Sequence, residues 1–169
     1  MNEKREAHIR VVVAMTKAGV EDLILTKDKT AYFLRGIIDY AENGRHTNLD
    51  VRWAPSTYKY SKKAASFKHE KSAYQKRSDK TQKDKKLHAE HVIPNSMIFN
   101  KLVEMVREGK SDIDITNFLR NSCEIVVITK SEMTLLDGKG SGLKTKMPEG
   151  WNWGDDPYAR LSYVGIELE

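Results

Sequence analysis

With 169 residues, the chain is long enough to bury a core in one domain without covalent staples. A single cysteine, Cys123, excludes an intrachain disulfide and a thiolate zinc cage, and it suits a reducing compartment. The net charge of +5 is modest but uneven: between Lys59 and Lys86 eleven Lys/Arg stand against three acids, which leaves 18 basic and 21 acidic residues elsewhere.

In chain order, residues 3–18 predict a helix, because Ala7, Val11, Ala14, Met15 and Ala18 recur at three- and four-residue steps before Gly19. Its apolar run is too short to span a bilayer, carries Arg10 and Lys17, and lacks the organisation of a secretory signal. A cytoplasmic protein, in a bacterial or phage-infected cell, is expected. Residues 29–42 predict a second helix with Tyr32, Phe33, Ile37 and Tyr40 or Ala41 inward, ended by Asn43-Gly44. The stretch LDVRWAPSTY allows a short strand before Pro55. Residues 59–84 predict a lysine-rich helix or extended arm, with Phe67 and Tyr74 as aromatic anchors seven residues apart.

Helices are predicted over 95–108, capped by Asn95 or Ser96, and over 112–121, capped by Ser111 or Asp112. The β-branched run 123–129 predicts a buried strand that takes in Cys123. Residues 130–137 predict a short helix begun by Thr129 or Ser131, and the glycines at 138, 140 and 142 a flexible turn. Trp151 and Trp153 belong to a loop they lock, and RLSYVGIEL, from Arg160, predicts a final strand.

Chemistry concentrates in KKLHAEHVIPNS, Lys85 to Ser96, where His88, Glu90 and His91 crowd into four positions behind a basic run. A carboxylate beside a histidine can hold a divalent cation and activate a water at one point. If Glu90 and His91 lie on a strand, their side chains point to opposite faces unless the strand ends there, and Pro94 stops regular pairing nearby. His88 is a ligand, a phosphate contact or an exposed side chain. The spacing is not that of a zinc protease, whose two histidines need one helical turn between them. The basic segment attracts phosphate by counterion release.

AEHVIP, Ala89 to Pro94, resembles the signature of the ββα-metal nucleases, the HNH-like or His-Me finger superfamily. The strand and short helix of CEIVVITKSEMTLLD resemble the second half of that finger, so the likeness covers roughly residues 80–165. The resemblance implies an α+β fold: a ββα-metal finger core with a helical insertion and a helical N-terminal part. Residues 1–58 form that helical part. Residues 59–169 form the basic arm and nuclease domain, unless the whole is one continuous domain. It implies His91 as general base and Glu90 as ligand of Mg²⁺ or Mn²⁺. Met133 stands where the family's helix presents a further ligand, so Glu132 or Asp137, or an asparagine such as Asn95 or Asn121, takes that role.

Arg160 either clamps the scissile phosphate or pairs with Asp155 or Asp156. Lys62, Lys63, Lys68, Lys71, Lys76, Arg77, Lys83, Lys85 and Lys86 hold the backbone of DNA, or of RNA. The expected function is divalent-metal-dependent hydrolysis of DNA phosphodiesters. Its competitors are a non-catalytic nucleic-acid-binding protein on a degenerate finger and a protein-interaction module, such as an inhibitor or toxin partner. No membrane partner is expected, and a protein partner or homodimer is left open.

Overall fold

The computed structural model describes residues 3–39, 58–70, 86–138 and 141–169. They form an α+β fold in which helices surround a small sheet. Three helices come first: α1 (Glu3–Thr16), α2 (Val20–Leu25) and α3 (Lys27–Asp39). A short strand β1 (Lys59–Tyr60) and helix α4 (Lys62–Ala65) follow, then β2 (Leu87–His91), α5 (Asn95–Arg107), α6 (Asp112–Ser122), β3 (Ile125–Thr129), α7 (Lys130–Asp137) and α8 (Ala159–Tyr163).

The sheet order is β1-β3-β2. Strand β3 is central because every one of its five residues is buried, the pattern of a strand covered on both faces. It pairs antiparallel with β2, His91 opposite Ile125 and Leu87 opposite Thr129. It pairs parallel with β1, Lys59 opposite Val126. Thus α5 and α6 fill the connection between the two antiparallel strands, and α7 leaves directly from the second. One hydrophobic cluster runs from Ile9 in α1 through Leu34, Val127 and Leu119 to Leu161 and Ile166, so the N-terminal helices share a core with the sheet. Full burial of each such aliphatic side chain contributes about 1.5–3 kcal/mol.

Several predicted elements shift. In α1 the buried face is Ile9, Val12, Val13 and Thr16, while Val11 is 39% exposed. The larger branched side chains win the inward positions because they remove more apolar area than the alanines of the predicted stripe. In α3 the inward set is Thr30, Leu34, Ile37 and Ile38; Phe33 only packs partly against the core, and Tyr32 is exposed. Pro94, rather than Asn95 or Ser96, occupies the cap of α5, and no side chain bonds there. Its ring fixes φ at −54°, which already presets the helical entry. Cys123 is buried as expected, but at the end of α6 and not within the strand.

The final strand is also corrected. Residues 160–163 belong to helix α8, which ends at Tyr163, and Gly165 follows its cap Val164 with φ 77°. That left-handed position suits glycine after a helix C-terminus. Leu168 forms an isolated antiparallel bridge opposite Ser61. Tyr40, Ala41, the stop at Asn43-Gly44, the strand before Pro55, Tyr74 and the glycine at 140 lie outside the described residues. No helix among the described residues is long and apolar enough to cross a membrane.

Candidate functional site

The motif histidines and glutamate lie on β2 and at its exit. Strand alternation sends Leu87 and Ala89 into the core on one face and His88 and Glu90 to the other. His91 is the last strand residue; Val92, Ile93 and Pro94 are buried beyond it and turn the chain into α5. Sequence predicted this ending from Pro94.

Glu90 is held by two partners. Arg160 Nη2 donates to its Oε1 at 2.5 Å, and His88 Nε2 lies 3.2 Å from its Oε2. An ionised carboxylate only accepts, so His88 carries its proton on Nε2 in this contact. Arg160 is 1% exposed. It also donates through Nη2 to the His91 carbonyl and through Nη1 to the Leu143 carbonyl, 3.0 Å away. Of the two roles open to Arg160, neither Asp155 nor Asp156 is its partner; the guanidinium comes from α8 to the strand that carries the motif. Burial pushes the Glu90 carboxyl up, but the His88 hydrogen bond and the Arg160 charge outweigh it and hold it below its ordinary value.

His91 has the opposite character. Its Nε2 is fully covered and has no hydrogen-bond partner. Burial drives its pKa down from 6.5 to about 4; Glu90 opposes this, while the charges of Arg160, Arg35 and His88 add to it. The imidazole is therefore neutral near pH 7. Arg35, an exposed residue of α3, was not anticipated in the sequence, because nothing in residues 29–42 links that helix to the motif.

A second cluster at this end of the sheet was also missed. Tyr158 Oη donates to Glu124 Oε1 at 2.5 Å, and Lys59 Nζ donates to the same hydroxyl. Glu124 precedes β3, and its carbonyl accepts from Val92 N at 3.0 Å, one residue past His91. Burial raises the Tyr158 phenol, so it stays protonated. Sequence separations of 34 and 99 residues hide these contacts.

The other expected site residues are not gathered here. Glu132 is 8% exposed, and its Oε2 accepts from Thr129 N at 2.7 Å, Thr129 Oγ1 at 2.9 Å and Ser61 Oγ at 2.8 Å. That is a capping box for α7 reinforced from α4's cap residue. Asp137 lies at the far end of α7, exposed, 4.0 Å from Lys144 Nζ. Five residues separate the two acids, roughly 7.5 Å along the axis. Among the described lysines of the expected arm, Lys62 pairs with Glu167 at 2.5 Å, Lys63 donates to Ser131 Oγ at 3.0 Å, and Lys68 lies 3.8 Å from Glu169. Lys86 is buried, at 8% exposure. Lys71, Lys76, Arg77, Lys83 and Lys85 lie outside the described residues. Trp151 and Trp153 lock their loop as expected, ring to ring at 5.1 Å, with Phe118 5.2 Å from Trp153.

Among the described residues no group of three or more His, Cys, Asp or Glu is placed to hold a metal ion. Hard ions such as Mg²⁺ or Mn²⁺ do not need such a group, since they keep several waters and take one or two protein oxygens. This sheet end offers the ionised Glu90 carboxylate and, at the start of α5, the Asn95 Oδ1 atom, which is buried without a partner. Each is an oxygen of the kind a hard cation takes, and Glu132 Oε2 is already engaged in its cap.

The chain matches no family model, no curated protein and no solved structure.

Proposed function

We propose that the chain is a divalent-metal-dependent endonuclease that hydrolyses DNA phosphodiester bonds, on a ββα-metal finger made of β2, β3 and α7 with α5 and α6 inserted. The observation that carries this reading is His91: a half-buried, unprotonated imidazole with a covered, unpartnered Nε2, next to an ionised glutamate and within the field of two arginines. A neutral imidazole is the form that accepts a proton from water. Its low pKa makes it a weak base, and a phosphodiester anion bound nearby would raise it.

Glu90 and Asn95 would hold Mg²⁺ or Mn²⁺. When bound, such an ion neutralises charge on the scissile phosphate and stabilises the leaving oxygen. Arg160 acts through Glu90 and the His91 carbonyl, fixing both ends of the dipeptide, and Arg35 supplies exposed positive charge for the phosphate. The basic residues from Lys62 to Lys85 position the polymer without reading its sequence. RNA offers the same backbone chemistry.

The test is nicking of supercoiled plasmid with Mg²⁺, with Mn²⁺ and with EDTA. Wild type should nick only with metal, and His91→Ala should lose about 100-fold or more of the rate. A second reading, a nucleic-acid-binding finger without cleavage, is favoured by one observation: Glu132 is held in its helix cap and Met133 takes the next position. DNA binding equal in wild type and His91→Ala, with no nicking in either metal, would select it.

A further inference from the structure

Two lysines, Lys62 in α4 and Lys68 just beyond it, already meet carboxylates of one short extended segment. Glu167 and Glu169 flank Leu168, which bridges Ser61 and packs against the core. The backbone is fixed on both sides: Lys62 N donates to the Glu167 carbonyl at 2.8 Å, and Glu169 N donates to the Tyr60 carbonyl at 2.9 Å. Period-two alternation then turns both glutamates away from the core, roughly 7 Å apart along the chain. Their carboxylates meet Lys62 at 2.5 Å and Lys68 at 3.8 Å. A row of two acids on an extended backbone, held on lysines, has the charge and the linear form of a short piece of phosphate backbone.

We propose that Glu167 and Glu169 are a built-in competitor for nucleic acid on the β1–α4 lysine face. The proposal rests on the DNA-binding reading above and adds to it a regulated surface. Nucleic acid can engage Lys62 and Lys68 only by displacing the two carboxylates. At Lys62 the displacement is cheap, because Lys62 and Glu167 are 66% and 70% exposed as side chains and exposed ion pairs are weak; at Lys68, 25% exposed, the contact to Glu169 is already long at 3.8 Å. The Leu168 bridge and the two backbone hydrogen bonds do not depend on the carboxylates, so the segment can stay in place while its charges yield. Binding would then be graded: weak at physiological salt, and strong where a substrate offers several phosphates at once.

The experiment measures affinity for a short fluorescent DNA duplex in EDTA, across a salt series. The proteins are wild type, E167Q/E169Q, the same pair in a K62Q/K68Q background, and E21Q/E108Q as a control of equal charge change on other elements. E167Q/E169Q should bind about 3- to 10-fold tighter at low salt. The gain should vanish in the K62Q/K68Q background and be absent from the control. Binding by wild type with no gain in E167Q/E169Q overturns this proposal alone, as does an equal gain in the control. No binding by any of the four proteins, even at the lowest salt, overturns both this proposal and the DNA-binding reading.

Discussion

Two ion pairs of the same chemistry sit on opposite sides of a solvent boundary in this molecule. Glu90–Arg160 and Lys62–Glu167 are both 2.5 Å contacts between a carboxylate and a cation. The first has side chains 15% and 1% exposed; the second, 66% and 70%. In the first, low dielectric makes each charge depend on the other, and the guanidinium also satisfies two backbone carbonyls. In the second, water and salt screen the attraction, and the pair can open without loss to the fold. Contact length therefore says little about worth; the surroundings decide whether a pair fixes a site or tunes a surface.

The comparison breaks first, if it breaks, at Arg160. Replacing it with alanine leaves Glu90 buried without its cation and should cost about 3–5 kcal/mol in urea unfolding. A loss below 1 kcal/mol would mean that water reaches Glu90 and that the two pairs are alike.

His91 gives the next effect. Its folded pKa of about 4 lies below the ordinary 6.5, so the folded state resists protonation. The stability is fully present above pH 6.5 and drains as pH falls toward 4, at about 1.4 kcal/mol per pH unit, roughly 3 kcal/mol over the window. Glu90, held below its ordinary value, acts in the same direction at lower pH: its stabilisation is present above the usual carboxylate range and is lost as pH falls through its folded pKa. Thermal midpoints between pH 7 and pH 4.5 should fall less steeply for His91→Gln than for wild type. Parallel curves would show that the imidazole is hydrated.

The two capping boxes sharpen the same contrast. Thr129–Glu132 is buried and bonded to Ser61, whereas Ser111–Asp114 is exposed. Glu132→Ala should destabilise by about 1–3 kcal/mol, since it strands buried donors. Asp114→Ala should cost clearly less in the same assay. Smallest of all, Lys62→Gln should leave the urea midpoint unchanged while altering DNA affinity, and a large shift in that midpoint would place the lysine face in the folding core.

Some of the site was legible before the fold. Pro94 gave the end of β2, the β-branched run gave β3, and Thr129 and Ser111 gave two caps, because each of these is local chemistry within a few residues. Other features were not legible. Arg160 read either as a clamp for a phosphate or as a partner for Asp155 or Asp156, its neighbours in sequence; its carboxylate partner is Glu90, 70 residues away. RLSYVGIEL alternated well enough for a strand, but its first residues lie in helix α8, from which the buried Arg160 reaches Glu90. The stripe of α1 came out rotated because spacing alone does not weigh Val against Ala.

The amino-acid order by itself determined the longer helices and the central strand β3, where the motif stops, and where positive charge collects. Those depend on backbone sterics, side-chain shape and nearest neighbours, and they act at short range. Only the tertiary structure decided that Glu90 is neutralised by α8, that His91 is stripped of water beneath α3's field, and that the arm's lysines meet Glu167 and Glu169. Burial and long-range electrostatics set those states, and neither exists until distant segments close over the same few atoms.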